Sequence, residues 1–296
     1  MMITKFKADL GLLSITVFWG TTFILSKLTL QEIPLPVFLF LRLTLAAAAL
    51  NLFALKYRKY YTRQLLVHGS VLGVLLYLSY FFQMWGIQYT SASNAGFITG
   101  LSVIMVPMAT IFIYHEKPAA GIFPAIILAI TGLLLLTGMN PADWNKGDIL
   151  VLICTVSVTF HVIYTGRFAP RHNVYLLTSV QLSVLSILTL IALPFSDFTW
   201  PHLQAEQIAV LCYLALFGTV FTFLMQTAMQ RFTTTTRTAL VFSMEPVFAA
   251  LFAWLIAGEA FTGLGWIGGG LIVLAMVIAE MPLFQKEKAG NSVPDI

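Results

Sequence analysis

The chain has 296 residues, of which 59% are hydrophobic and only 9% charged, with a mean hydropathy of +0.89. An ordinary soluble domain is about a quarter charged, so this composition cannot cover a water-facing surface, and the apolar exterior must meet lipid. The formal charge of +4 does not point to nucleic acid, because the basic residues stand in short loops between apolar stretches. Cys154 and Cys212 lie inside such stretches and suggest no disulfide framework.

A helix needs about 20 apolar residues to cross a bilayer, and that ruler predicts ten spans. The first runs over 8–28. Lys5 and Lys7 before it give the look of a signal peptide, but no small-x-small cleavage site follows, so it reads as an uncleaved span. Trp19, Phe23 and Lys27 share a face at i, i+4 spacing, with Thr22 beside them. Lys27 either snorkels to the interface or binds a carboxylate in a cavity. The second span, 35–55, follows Pro34 and Pro36 and carries Arg42, a candidate gate. The third, 66–87, holds Tyr77, Tyr80, Gln83, Met84 and Trp85. Aromatic residues normally gather at the interfaces; Tyr80 and Gln83 lie deeper, which makes them cavity candidates. The fourth, 92–114, opens on Asn94 and Thr99, which contact a substrate or a neighbouring helix, and contains Pro107.

The fifth span is 119–138 and the sixth 148–167, with a membrane histidine, His161, that either packs or faces a cavity. Spans at 174–194 and 206–229 follow. The ninth, 234–257, carries Arg237, Glu245 and Pro246, and the tenth is 262–281; residues 282–296 form a polar tail. Glu245 lies about 11 residues into its helix, roughly 16 Å from the end at 1.5 Å per residue. Ionisable groups at that depth cost about 2.5–3.5 kcal/mol on insertion scales. Glu245 therefore binds a substrate amine or carries a coupling proton, or else it satisfies backbone freed by Pro246 or pairs with Arg42. Arg237 is a gate charge or an interface anchor. Glycines spaced four apart, as in Gly69/Gly73, Gly96/Gly100 and Gly265/Gly269, let helices approach closely.

Orientation follows from Lys and Arg in the short loops. With the N-terminus cytoplasmic, eleven basic residues (Lys5, Lys7, Lys56, Arg58, Lys59, Arg63, Lys117, Arg167, Arg171, Lys286 and Lys288) fall inside. Lys146, Arg231 and Arg237 are assigned to the outside. Both termini are then cytoplasmic, in the cell membrane.

The sequence also repeats itself. Tyr89–Glu116 aligns without a gap on Phe232–Glu259 at an offset of 143, and Asp9–Trp19 has the spacing of Asp148–Val158 at an offset of 139. Such offsets are half the chain and too long for a solenoid period; in a membrane protein they suggest a transporter built from repeats. Five spans per half is an odd number, so the second half enters from the opposite side. The halves are 1–140 and 141–281, with 282–296 as a cytoplasmic tail. On this correspondence His161 matches Thr22. Pro107 and Pro246 stand in equivalent helices as a pair of hinges or static bends.

Trp19-Gly20-Thr21-Thr22-Phe23-Ile24-Leu25-Ser26-Lys27 resembles the WGSTFxxxK opening of EamA-type proteins in the drug/metabolite transporter superfamily. Phe40-Leu41-Arg42 followed by Ala46 is similar to that family's second-helix pattern, a likeness that implies a packing and topology role for Arg42, and the segments ending at Glu116 and Glu259 look like its two repeat copies. The resemblance implies an all-α integral membrane protein of about ten helices in two inverted five-helix repeats. It further implies alternating access around a central cavity, and export or exchange of small metabolites. The candidate cavity is aromatic and sparsely charged, which suits small, largely neutral, amino-acid-like solutes. The halves differ where Ser102-Val103 faces Glu245-Pro246, and Val158 replaces the tryptophan. No HExxH, GxxxxGK[ST] or GxSxG motif is present, so no enzyme activity, metal or cofactor is expected. The partners implied are a small-molecule substrate, the bilayer and protons as coupling ion; a homodimer stays open.

Overall fold

The computed structural model describes residues 5–115, 122–138, 144–195, 200–258 and 263–280. Glu116 and Glu259, which close the two repeat segments, the Asn140-Pro141 break and the tail all lie outside them. Among the described residues there are helices and no strands. Eight stretches are long and apolar enough to cross a membrane, and two shorter apolar helices, Phe123–Leu136 and Gly263–Ile278, complete the set of ten.

The elements are α1 (Lys5–Thr29), α2 (Leu35–Ala54), α3 (Arg63–Gly86), α4 (Ala92–Gly100), α5 (Ser102–Tyr114) and α6 (Ile122–Thr137). The second half has α7 (Lys146–Phe168), α8 (Val174–Ala192), α9 (Ala205–Ala215), α10 (Thr222–Met229), α11 (Thr235–Phe242), α12 (Glu245–Ala257) and α13 (Gly263–Glu280). The fourth span is thus α4 plus α5, and the ninth is α11 plus α12. The eighth is α9 and α10 joined by a π-helical turn, Leu216–Phe221.

The serines and threonines that open the two repeat segments have a local task. Ser91 accepts from the backbone N–H of Asn94 to cap α4, and Thr234, its counterpart 143 residues on, accepts from that of Arg237 to cap α11. Each side chain satisfies one of the donors that a helix start leaves orphaned. At the far ends His115 (φ 55°) and Gly258 (φ 67°), also 143 apart, close α5 and α12 in the left-handed conformation.

The interruptions of the fourth and ninth spans are matched as well. They fall at Leu101 and at Ser243-Met244, and Met244 is 143 residues beyond Leu101. This corrects the pairing of Pro107 with Pro246 as hinges. Pro246 sits at the first turn of α12, where its missing N–H costs nothing. Pro107 lies inside α5, six residues past the break. The break therefore does not depend on proline, and only one half reinforces it with one.

The packing repeats when the halves are exchanged. α1 packs on α12 as α7 packs on α4 and α5; α3 packs on α7 as α10 packs on α1; α3 packs on α8 as α9 packs on α2. The second and seventh spans, α2 and α8, meet each other, as do the fifth and tenth, α6 and α13. The α3–α8 approach is close at Gly69 and Gly73, where a Cβ would stand 2.5–2.6 Å from Val180 and Val184. Between α6 and α13 Gly132 stands tightly against Gly268, whereas a Cβ at Gly269 would meet only ordinary contacts at 3.9 Å. A Cβ at Gly268 would lie 2.4 Å from the Leu136 nitrogen and 2.5 Å from the Gly132 oxygen. Large apolar side chains such as Phe112, Ile127, Leu255 and Trp266 stand on the outside, as a lipid-facing surface requires.

Candidate functional site

A cavity opens where the two halves meet. Its walls are Trp19, Thr22, Arg42, Leu76, Ser79, Tyr80, Gln83, Thr99, Ser102, Cys154, Val158, His161, Val162, Phe223, Gln226, Phe242 and Glu245. Most of these come in pairs related by the repeat. Trp19 and Val158, and Thr22 and His161, are 139 apart. Tyr80 and Phe223, Gln83 and Gln226, Thr99 and Phe242, and Ser102 and Glu245 are each 143 apart. The cavity therefore straddles the pseudo-two-fold relation between the halves. Its free space is about 60 Å³, room for only a few waters.

The aromatic wall is continuous. Trp19 meets Phe242 edge-on at 5.0 Å and Phe223 at 5.7 Å, and Phe223 also contacts Tyr80 and His161. His161 Nε2 donates to the Gln181 Oε1 at 3.0 Å, and the Gln181 amide passes its own N–H to Thr227.

Arg42 reaches the cavity although it is only 1% exposed. Its guanidinium donates to Ser26, Tyr80, Thr219 and the Gly218 carbonyl at 3.2–3.5 Å, and its Cζ lies 5.0 Å from the centre of the Tyr80 ring. Two of these partners are in the π-helical turn of the eighth span. A π turn carries an extra residue and exposes carbonyls to new partners, which is why such turns gather at functional sites. At Gly218 a Cβ would stand 3.3 Å from the guanidinium, so glycine there gives Arg42 its room. No carboxylate pairs with Arg42 among the described residues, so of the alternatives for Glu245 the pairing with Arg42 is not the one adopted. Glu245 begins α12, lines the cavity, and receives no hydrogen bond or ion pair from any described residue.

Of the candidates drawn from the sequence, Trp19, Thr22, Tyr80, Gln83, His161, Glu245 and Arg42 converge here. Four do not. Phe23 is 2% exposed and packs with Ile87, Ala92, Phe97 and Met244, because helix twist turns it away from the cavity. Asn94 sits in the capped first turn of α4, away from the lining. Lys27 is anchored on the Thr90 carbonyl at 3.2 Å. Arg237 is ion-paired with Asp9, and Thr233 donates to the other oxygen of the same carboxylate.

That ion pair also corrects the charge count. Asp9 is in the first turns of α1, so Arg237 lies at the end where α1 begins. Arg231 joins it, in a turn (Gln230–Phe232) that packs against the Ala169–Arg171 turn. Arg231 and Arg237 thus stand at the end of Arg171 and not, as assigned from the sequence, on the side of Lys146.

Thr99, read from the sequence as a substrate or helix contact, lines the cavity, whereas Gln226, Ser102, Phe223 and Phe242 are cavity residues that reading for rare polar groups passes over. The signal was available: the 143-residue offset applied to Tyr80 and Gln83 lands on Phe223 and Gln226.

Residues 6–138 and 145–281 each match the EamA-like transporter family. The chain belongs to this family. An uncharacterized transporter of Archaeoglobus fulgidus is 30% identical over 281 residues, covering 94% of this EamA-like chain and 87% of the relative. The uncharacterized transporter YoaV of Bacillus subtilis is 22% identical, covering 95% and 99%, and the uncharacterized inner membrane transporter YedA of Escherichia coli is 22% identical, covering 92% and 90%. A solved crystal structure of a protein 18% identical to this EamA-like chain superposes with a TM-score of 0.74 over 92% of this chain and 97% of that one, a likeness of fold. The protein is a multi-pass membrane transporter.

Proposed function

We propose that this transporter moves small, largely neutral, amino-acid-like metabolites across the cytoplasmic membrane by alternating access, with export as its direction. The observation that carries the reading is the cavity built from paired positions of the two halves. Two sets of five crossings relate such halves by an axis in the membrane plane, so each conformation of one half has a mirror role for the other. The aromatic walls bind an apolar body, while Glu245, Gln83, Gln226 and Arg42 orient its polar end.

The narrowness of the cavity supports a moving mechanism. Pockets for small ligands hold about 300–1,000 Å³, against about 60 Å³ here. Cargo therefore has to widen the cavity, and the matched breaks at Leu101 and Met244 give the halves places to flex. Glu245 serves as the coupling group, exchanging a proton for cargo, with both termini cytoplasmic and Arg237 and Lys27 at opposite ends of the pathway.

The test is counterflow in proteoliposomes holding the full chain. Vesicles preloaded with unlabelled amino acid are expected to take up labelled amino acid transiently above equilibrium. A channel gives no such overshoot, and an enzyme would alter the labelled compound; either outcome removes the carrier reading.

A further inference from the structure

We infer that the Glu245–Gln226 wall takes an ammonium group of the cargo; the inference rests on the carrier reading above and names the chemistry its cavity selects. Gln226 is 1% exposed, lines the cavity, and its Oε1 has no hydrogen-bond partner. Its orientation is fixed by a chain that starts at a backbone group. The Val162 carbonyl can only accept, so the Gln230 amide points its N–H there, at 3.0 Å. The Gln230 oxygen then faces Gln226 and takes its N–H, at 2.9 Å. The oxygen of Gln226 is what remains.

A buried orphan acceptor is costly, about 1–3 kcal/mol, and calls for a donor. Glu245 contributes a second acceptor. Of the donors, Arg42 has four of its five N–H on Ser26, Tyr80, Thr219 and Gly218, and His161 Nε2 is taken by Gln181. The unmet capacity of the cavity is thus for N–H, beside the faces of Trp19 and Phe223, which attract cations. An anionic cargo would meet these two acceptors, with all but one of the Arg42 N–H groups already used.

The probes are phenethylamine, 2-phenylethanol and 3-phenylpropanoate, three ligands of similar shape that differ in the polar end. Binding is read by thermal stabilisation of the full chain in detergent, and by competition with counterflow. The amine is expected to bind and to compete, the alcohol and carboxylate at least tenfold more weakly. Gln226→Leu is expected to weaken the amine about tenfold. Equal binding by the alcohol or carboxylate, binding by none of the three, or unchanged amine affinity in Gln226→Leu overturns the inference. If the leucine variant does not fold, wild-type discrimination among the three decides alone. Counterflow of an amino acid without amine selectivity sinks only this inference, whereas absence of any counterflow sinks the carrier reading.

An independent observation concerns the ends of the pathway. Asp9 accepts from Thr233, and Asp148 accepts from Thr90 at 2.6 Å. The aspartates are 139 apart and the threonines 143 apart, so the contacts are repeat copies. Each joins the first helix of one half to the threonine just before the fourth helix of the other, and they lie at opposite ends. The copies differ: Arg237 adds an ion pair at Asp9, whereas its counterpart, Asn94, makes no hydrogen bond to Asp148, whose second oxygen takes only the Asn145 N–H of its own helix cap.

We propose that these are the two gates, and that the ion pair makes the Asp9 gate the firmer, so that the resting protein opens first at the Asp148 end. Cys154 is a built-in reporter, since it lines the cavity and is fully buried. With Cys212→Ser as background, a membrane-impermeant thiol reagent is applied to either side of oriented vesicles. Asp9→Asn is expected to raise Cys154 labelling severalfold from the Asp9 side only, and Asp148→Asn from the other side only. The milder Thr233→Val and Thr90→Val should act in the same directions. Unchanged labelling in all four variants, or equal increases from both sides, overturns the proposal.

Discussion

Gly268→Val is expected to destabilise the protein by about 3 kcal/mol, the upper range for overpacking a close-packed site, and to lower its unfolding temperature by about 10 °C. The reason is where the added carbon would go. The nearest atoms are the Leu136 nitrogen at 2.4 Å, the Gly132 oxygen at 2.5 Å and the Leu135 carbonyl carbon at 2.9 Å, all of them backbone. A flexible side chain could turn aside; a helix backbone cannot, so α6 and α13 would have to separate. In lipid no hydrophobic force draws helices together, so lost packing contact is not recovered elsewhere. Gly270→Val is the control, because a Cβ there meets nothing within 4 Å. Thermal unfolding in detergent measures both. Equal losses in the two variants would mean that helix propensity, and not the α6–α13 contact, governs the effect.

Glu245→Gln is expected to reduce transport at least tenfold and to flatten its dependence on pH. Glutamine keeps the shape and one carbonyl acceptor but cannot gain or lose a proton. Glu245 is 8% exposed, sits at the break of the ninth span and receives no contact from a described cation. On the proposed coupling, proton and cargo compete for the same carboxylate, so wild-type uptake should respond both to pH and to an imposed pH gradient. Initial rates across a pH series, with and without the gradient, test this. A variant that retains the wild-type pH profile removes Glu245 as the coupling group while leaving the carrier reading intact. Its counterpart, Ser102, offers the reciprocal check: Ser102→Ala leaves the only cavity carboxylate among the described residues in place and should preserve the pH profile.

By itself, the sequence determined the solvent, the number of spans and the division into related halves. Lipid admits only helices with their hydrogen bonds closed internally, so apolar runs such as those around Leu12, Leu43 and Leu72 had one available structure. It also marked Trp19, Tyr80, Gln83, His161 and Glu245, because polar or aromatic groups are rare at membrane depth and need a reason. Only the tertiary structure decided which polar groups meet. Phe23 and Trp19 share a face of α1, but packing of α12 on that helix buries Phe23 and leaves Trp19 at the cavity. Arg237 read as an outer charge until Asp9, 228 residues away in the chain, paired with it. The orphan oxygen of Gln226 depends on one further side chain, Gln230, and on one carbonyl from another helix. Such contacts follow from how helices are rotated about their own axes. That rotation is set by packing against every neighbour at once, and spacing along a single span does not encode it.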